Sequence, residues 1–206
     1  MVIGERYVAA IGLHLTLFSF SMYFICKENF NETRKKLGLF TEPLKQIGYG
    51  IAGFIVIVIL AILLNLALYY VGFNDEQKIV DTVQGFPFYL VVFAIVFAPI
   101  SEEVFFRAFL LTELDALLSG VLKKFRTNSV IKYTPLFLAL VITSALFASA
   151  HFAYGSIAQF LGAFLIGACL GLIYKRTNSI VPVMLAHFLF NLLSLTLIKS
   201  TYGFVL

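Results

Sequence analysis

The sequence predicts an all-α fold: a polytopic membrane bundle of about six transmembrane helices with one amphipathic helix at the interface. Three observations carry this expectation. The chain is 61% hydrophobic and only 13% charged, whereas a soluble domain is about 25% charged. A soluble core built from 206 residues cannot hide that much apolar surface. The charges also gather between long apolar runs, and those runs match the ~20 residues a helix needs to cross the hydrocarbon. The net charge of +4 does not point to nucleic acid, because the basic residues sit where orientation signals belong.

Tyr7 to Cys26 is the first span, twenty residues without Asp, Glu, Lys or Arg. Its end, Met22 to Lys27, lacks a small-residue cleavage pattern, so a retained helix is expected rather than a signal peptide. His14 lies within it without a polar companion at helical spacing, and is not counted among the candidate site residues. Cys26 and Cys169 are too few and too far apart for a disulfide framework or a Cys metal site; they read as packing residues. A basic loop, Lys27 to Lys45, follows. Gln46 to Asn74 holds the second span, with Asn65 expected to hydrogen-bond a neighbouring helix. The next loop, Phe73 to Gly85, is acidic, with Asp75, Glu76 and Asp81 against Lys78.

Thr82 to Ser101 is the third uncharged run and leads directly into Glu102-Glu103, continuing as helix to about Ser119. Pro99 removes one backbone hydrogen bond just before the pair and is expected to kink the helix. From Leu110 to Phe125 the pattern is amphipathic: Leu111, Leu114, Leu117, Leu118, Val121, Leu122 and Phe125 repeat at helical spacing against Glu113, Asp115, Lys123 and Lys124. A helix lying at the interface is expected there. Tyr133 to Tyr174 is 42 residues without Asp, Glu, Lys or Arg, enough for two spans, with Tyr154-Gly155-Ser156 as the turn. Ala163, Gly167 and Gly171, at spacing four, form a small-residue face for packing within the bundle. After the loop Lys175 to Asn178, Thr177 to Ile198 is the sixth span. The whole chain, 1–206, reads as one integral-membrane domain.

The loops after spans one, three and five hold eleven Lys and Arg, the opposite side three, with Arg107 set aside. The positive-inside rule places the eleven in the cytoplasm. Both termini then lie outside, as an even number of spans requires.

Charges inside a membrane span are costly and by default functional. Glu103 and Arg107 are i and i+4 and share a helix face, while Glu102 points about 100° away. The two acids therefore divide the work: one is held by Arg107, and the other is a candidate general base for water. Phe147 with His151, and His187 with Asn191, are also i and i+4, each pair in a different span. Hydrolysis needs a base, an oxyanion stabiliser and a leaving-group acid. Glu102 suits the first task, His187 and Asn191 the second, and His151 can position water or shuttle a proton. Zinc held by Glu102, Glu103, His151 and His187 is an alternative, although the spacing is not that of the His-Glu-x-x-His helix. No serine sits in a recognisable nucleophile elbow.

Glu102-Glu103-x-x-x-Arg107, Phe147-x-x-x-His151 and His187-x-x-x-Asn191, in that order on successive apolar segments, resemble the CPBP family of intramembrane proteases. That family takes in the type II CAAX prenyl endopeptidases and bacterial bacteriocin-processing and self-immunity proteins. The resemblance covers a motif core of about residues 86–195. It implies an all-helical membrane fold and peptide-bond hydrolysis within the bilayer. Glu102 would activate water with help from His151, His187 and Asn191 would form the oxyanion site, and Glu103 with Arg107 would support them. Members have been described both as metalloproteases and as metal-free glutamate enzymes, and the metal-free reading is preferred here.

Eukaryotic CAAX proteases are longer, so the expectation is a short prokaryotic cell-membrane member acting on a membrane-associated or CAAX-like peptide. Non-catalytic alternatives are a membrane scaffold or a bacteriocin self-immunity protein. A proton-coupled transporter should show internal repeats with paired broken helices, and no clear repeat is found. One geometric condition remains. His151 lies ~27 Å along its helix from Tyr133, towards the outer end, while Glu102 and His187 fall in the cytoplasmic half. Convergence requires that this helix start outside the bilayer, that the hairpin end within it, or that the helices tilt.

Overall fold

The computed structural model describes residues 3–27, 33, 37–39, 42–73, 75–123, 129–152 and 155–202, with the side chains of 3–6 and 129–132 excepted. Among these residues there is no strand. The helices are α1 (Ile3–Ile25), α2 (Pro43–Tyr70), α3 (Gln77–Gln84), α4 (Phe88–Glu103), a π-helical segment (Val104–Leu111), α5 (Thr112–Leu122), α6 (Ser129–His151), α7 (Ile157–Thr177) and α8 (Ile180–Tyr202). Six helical runs are long and apolar enough to cross a membrane, and the fold is an all-α polytopic bundle.

Local chemistry sets the boundaries. Pro43 occupies the first turn of α2, where its missing N–H has no intrahelical partner to lose. Asn178 ends α7 in the left-handed conformation, as a helix C-terminus favours. Ser156 caps the start of α7 by accepting from the Gln159 N–H. The small-residue face of α7 packs inward on α6: a Cβ on Gly167 would stand 3.3 Å from Phe147 Cδ1 and from Ser144 Cα, and one on Gly171 would stand 2.6 Å from Leu140 Cδ2.

The described part of Leu110 to Phe125 is joined without a break to the third apolar run, one helical stretch extending from Phe88 to Leu122, because the π segment continues the backbone ladder where a loop would have interrupted it. Leu114 and Leu118 consequently pack against the core while Leu117 and Val121 stay exposed. Asn65 is exposed on α2 rather than facing a neighbour, since the inward stripe of that helix runs through Gly50, Gly53, Ile57 and Leu64, and Asn65 lies one residue off it. The acidic loop contains the short helix α3. Pro99 lies buried inside α4, and the change of winding comes five residues later, at the π segment. Tyr154 and Phe125 lie outside the described residues; Gly155 has φ +67°, a conformation that suits glycine.

Two sets of contacts define the faces of the bundle. On one face the Tyr7 O–H donates to Gly85 O at 2.7 Å, and Lys199 Nζ donates to Gln84 O at 2.9 Å and Phe86 O at 2.8 Å. On the same face Lys78 Nζ donates to Gly155 O, and the Asp75 carboxylate accepts from Ser156 Oγ and from the N–H groups of Ile157 and Ala158. Burial raises the Asp75 pKa, but these hydrogen bonds and Lys78 outweigh it and hold the carboxyl below its usual range. On the other face Ser179 Oγ donates to Gly38 O and Gln46 Oε1, and Lys175 Nζ pairs with Asp115 at 2.8 Å. Tyr7 and Lys199 thus share a face, as six crossings require.

Candidate functional site

The site is built where α4 passes into the π segment. Glu103 is fully buried, and Arg107, one turn on, is buried beside it with Nε 3.0 Å from Glu103 Oε2. The angle is poor for a hydrogen bond, so the contact is best described as an ion pair. The i and i+4 spacing provides it, and the surroundings complete it. The guanidinium lies over the Phe147 ring at 4.5 Å and donates from Nη2 to Gly167 O at 3.3 Å. The lack of a side chain at Gly167 lets α7 lie close on α6 here, where a Cβ would crowd Phe147 and Ser144 at 3.3 Å. A desolvated cation over an aromatic face is worth about 2 kcal/mol. That offsets part of the cost of burying the pair.

His187, buried on α8, places Nδ1 2.7 Å from Glu103 Oε1. A carboxylate paired with arginine can only accept, so Nδ1 carries the hydrogen. The other ring nitrogen, Nε2, then faces Glu102 Oε2, 3.9 Å away. Glu103 therefore sets the tautomer and orientation of His187.

Glu102 occupies the neighbouring face, as the helical offset requires. Its Oε2 is buried without a hydrogen-bond partner among the described residues. Its Oε1 lies 2.9 Å from Nε2 of His14, in the middle of α1. The other nitrogen of His14, Nδ1, lies 2.8 Å from Ala10 O. A carbonyl cannot donate, so that nitrogen carries a hydrogen. The Nε2–Oε1 contact then needs a proton of its own, on the imidazole or on the carboxyl. His14 is the residue that sequence reasoning set aside. Its partner is 88 positions away, beyond any helical spacing; the only signal was the cost of a histidine in mid-span.

His151 closes α6. Its Nδ1 donates to Phe147 O at 2.8 Å, its ring packs on Phe147 with centroids 4.6 Å apart, and it interacts electrostatically with Glu102. Phe147 also meets His187 edge to face at 5.9 Å. The three motifs therefore converge, with Phe147 at the level of Arg107 and His151 one turn nearer the end of its helix. Asn191 is turned elsewhere, donating from Nδ2 to Ala94 O at 2.9 Å and tying α8 to α4. Among the described residues no three His, Cys, Asp or Glu side chains are grouped as a metal ion would need.

No curated protein and no solved structure matches the chain. A family model, Type II CAAX prenyl endopeptidase Rce1-like, matches residues 84–193, just over half of the 206 residues. The matched stretch contains Glu102, Glu103, Arg107, Phe147, His151, His187 and Asn191 and leaves out α1 with His14. With acids, arginine and histidines gathered in the interior of an apolar bundle, and with that match over most of the helices that supply them, the chain belongs to the Rce1-like family of type II CAAX prenyl endopeptidases, a family of membrane proteases.

Proposed function

We propose that the chain hydrolyses a peptide bond of a membrane-associated or CAAX-like peptide by a metal-free, glutamate-activated water mechanism. The observation that carries this reading is Glu102 Oε2, buried, without a hydrogen-bond partner among the described residues and 3.9 Å from His187 Nε2. The 3.9 Å between them is a span that one bridging water fits at ordinary hydrogen-bond length, once side-chain movement admits it. Glu102 takes a proton from that water as its oxygen attacks the scissile carbonyl. The C–N bond then breaks and the proton passes to the leaving amine. His151, whose Nδ1 donates to Phe147 O, assists that transfer through Nε2.

In this reading His187 enters the step as an imidazolium, its second proton taken up from solvent before the peptide binds, so that Nε2 donates to the oxyanion and the Glu103 carboxylate at Nδ1 stabilises the cation. Asn191 spends one of its two amide donors on Ala94 O, so its motif role as the other oxyanion donor requires the second N–H to turn into the site when the peptide binds. The donor set supports the metal-free choice: Glu103 is committed to Arg107 and His187, and Glu102 Oε1 to His14. We place the protein in a prokaryotic cell membrane. The face bearing Lys175 and Asp115 is then cytoplasmic, and both termini lie outside.

The test is cleavage of membrane-associated peptides, prenylated and not, by the purified protein. Glu102→Gln is expected to abolish turnover while the fold is kept, and chelators are expected to leave wild-type turnover unchanged. Full cleavage by Glu102→Gln sinks the catalytic role. Loss of cleavage on chelation, restored by zinc, sinks the metal-free one.

A further inference from the structure

We propose that His14 is a positioning residue of this site: by sharing a proton between its Nε2 and Glu102 Oε1, it fixes the carboxylate so that Oε2 is the atom turned to the attacking water. The proposal rests on Glu102 being the base. It also extends the working site into a helix that lies outside the matched stretch.

The geometry leaves little alternative for this histidine. Its Nδ1 is committed to Ala10 O and its Nε2 to Glu102, and its ring packs edge to face on Phe93 at 5.4 Å. The place of α1 is set independently by aromatic contacts, Phe18 on Phe97 and both Phe20 and Phe24 on Phe109. The helix therefore does not depend on the Glu102 bond to stay docked. The other ionisable groups facing Glu102 are His187 from α8 and His151 from α6, with the Glu103–Arg107 pair beside them. Neither of those histidines makes a hydrogen bond to Glu102 within the described residues.

A carboxylate attached through a rotatable chain can present either oxygen in either sense. A charge-assisted bond to one oxygen removes that freedom. In the hydrolysis, the proton from water goes to Oε2 and then to the leaving amine, while the proton between His14 and Oε1 stays in place. With Oε1 occupied, the base cannot turn away from water between turnovers.

The experiment uses the full chain in lipid vesicles with a cleaved peptide, comparing wild type, Glu102→Gln, His14→Phe, His14→Gln and Phe93→Leu. His14→Phe keeps an aromatic ring against Phe93 and is expected to lower kcat about 10- to 100-fold, the range for losing a hydrogen bond to a charged group. KM should change little, since the bond orients the base rather than binding peptide. His14→Gln keeps a donor without the charge and should lose about 3- to 10-fold. Phe93→Leu disturbs the packing alone and should keep kcat. Wild-type kcat in a folded His14→Phe, with Glu102→Gln inactive, overturns the proposal and leaves Glu102 as the base. An equal fall in Phe93→Leu overturns it in favour of packing. If His14→Phe does not fold, wild-type kcat in His14→Gln overturns it alone. Activity in Glu102→Gln instead fails the underlying reading.

Discussion

Arg107→Met removes the cation from a pair that has no solvent to fall back on. Glu103 is fully buried, and its remaining polar contact is Nδ1 of His187. Breaking a buried ion pair by deleting one partner costs about 3–5 kcal/mol, because the other charge is left uncompensated. Here the lost contacts are the Glu103 ion pair, the stack on Phe147 and the bond to Gly167 O. At about 2–4 °C per kcal/mol for a chain of this size, Tm should fall by about 10 °C. The chain has no tryptophan, so unfolding is best followed with a thiol-reactive dye. Cys26 is exposed and should first be replaced by Ser, leaving the partly buried Cys169 as the reporter. Replacing both partners with apolar residues, Glu103→Leu with Arg107→Met, should recover most of the loss, since no lone charge remains. A single variant melting within about 2 °C of its parent, or a double variant melting as low as the single, refutes the reasoning.

Two further outcomes follow from contacts away from that pair. Asp75 holds the start of α7 as a carboxylate whose pKa lies below the usual range; its contribution is therefore complete above that range and is lost as pH falls through the folded value. Asp75→Asn should lower Tm at neutral pH, with the gap to wild type narrowing as pH falls through and below the usual carboxylate range; a gap independent of pH contradicts the sign. Asn191→Ala should cost about 0.6 kcal/mol of stability for the lost bond to Ala94 O but about 100-fold in kcat if its second N–H serves the oxyanion. A kcat within a few-fold of wild type would leave Asn191 as an interhelical tie only.

The spans were legible because lipid leaves the backbone few choices: uncharged runs the length of a bilayer fold as helices. The Glu103–Arg107 pair was legible for a related reason, since four residues on a helix return to the same face. The bond between His14 and Glu102 was not, because it joins two helices whose relative rotation no local spacing encodes. The π segment was hidden likewise: Val104 to Leu111 has the composition of an ordinary apolar helix, and its winding is settled by packing. Asn65 misled in the opposite direction. Its placement in an apolar run suggested an inward face, yet the neighbouring Leu64 is the one that meets α7, at Gly162, and Asn65 falls on the outer side.

The π segment has a consequence for how the long third span is phased. Continuous α winding would give its second half, Thr112–Leu122, a different rotation relative to Glu102 and Glu103. The wider turn between them acts as a slip in the thread, so the two halves answer to different neighbours. Phe88–Glu103 is set by what surrounds the acids, and Thr112–Leu122 by the core that takes up Leu114 and Leu118. One rod thus carries a chemical face and, beyond the wider turn, a second face whose phase is offset from it.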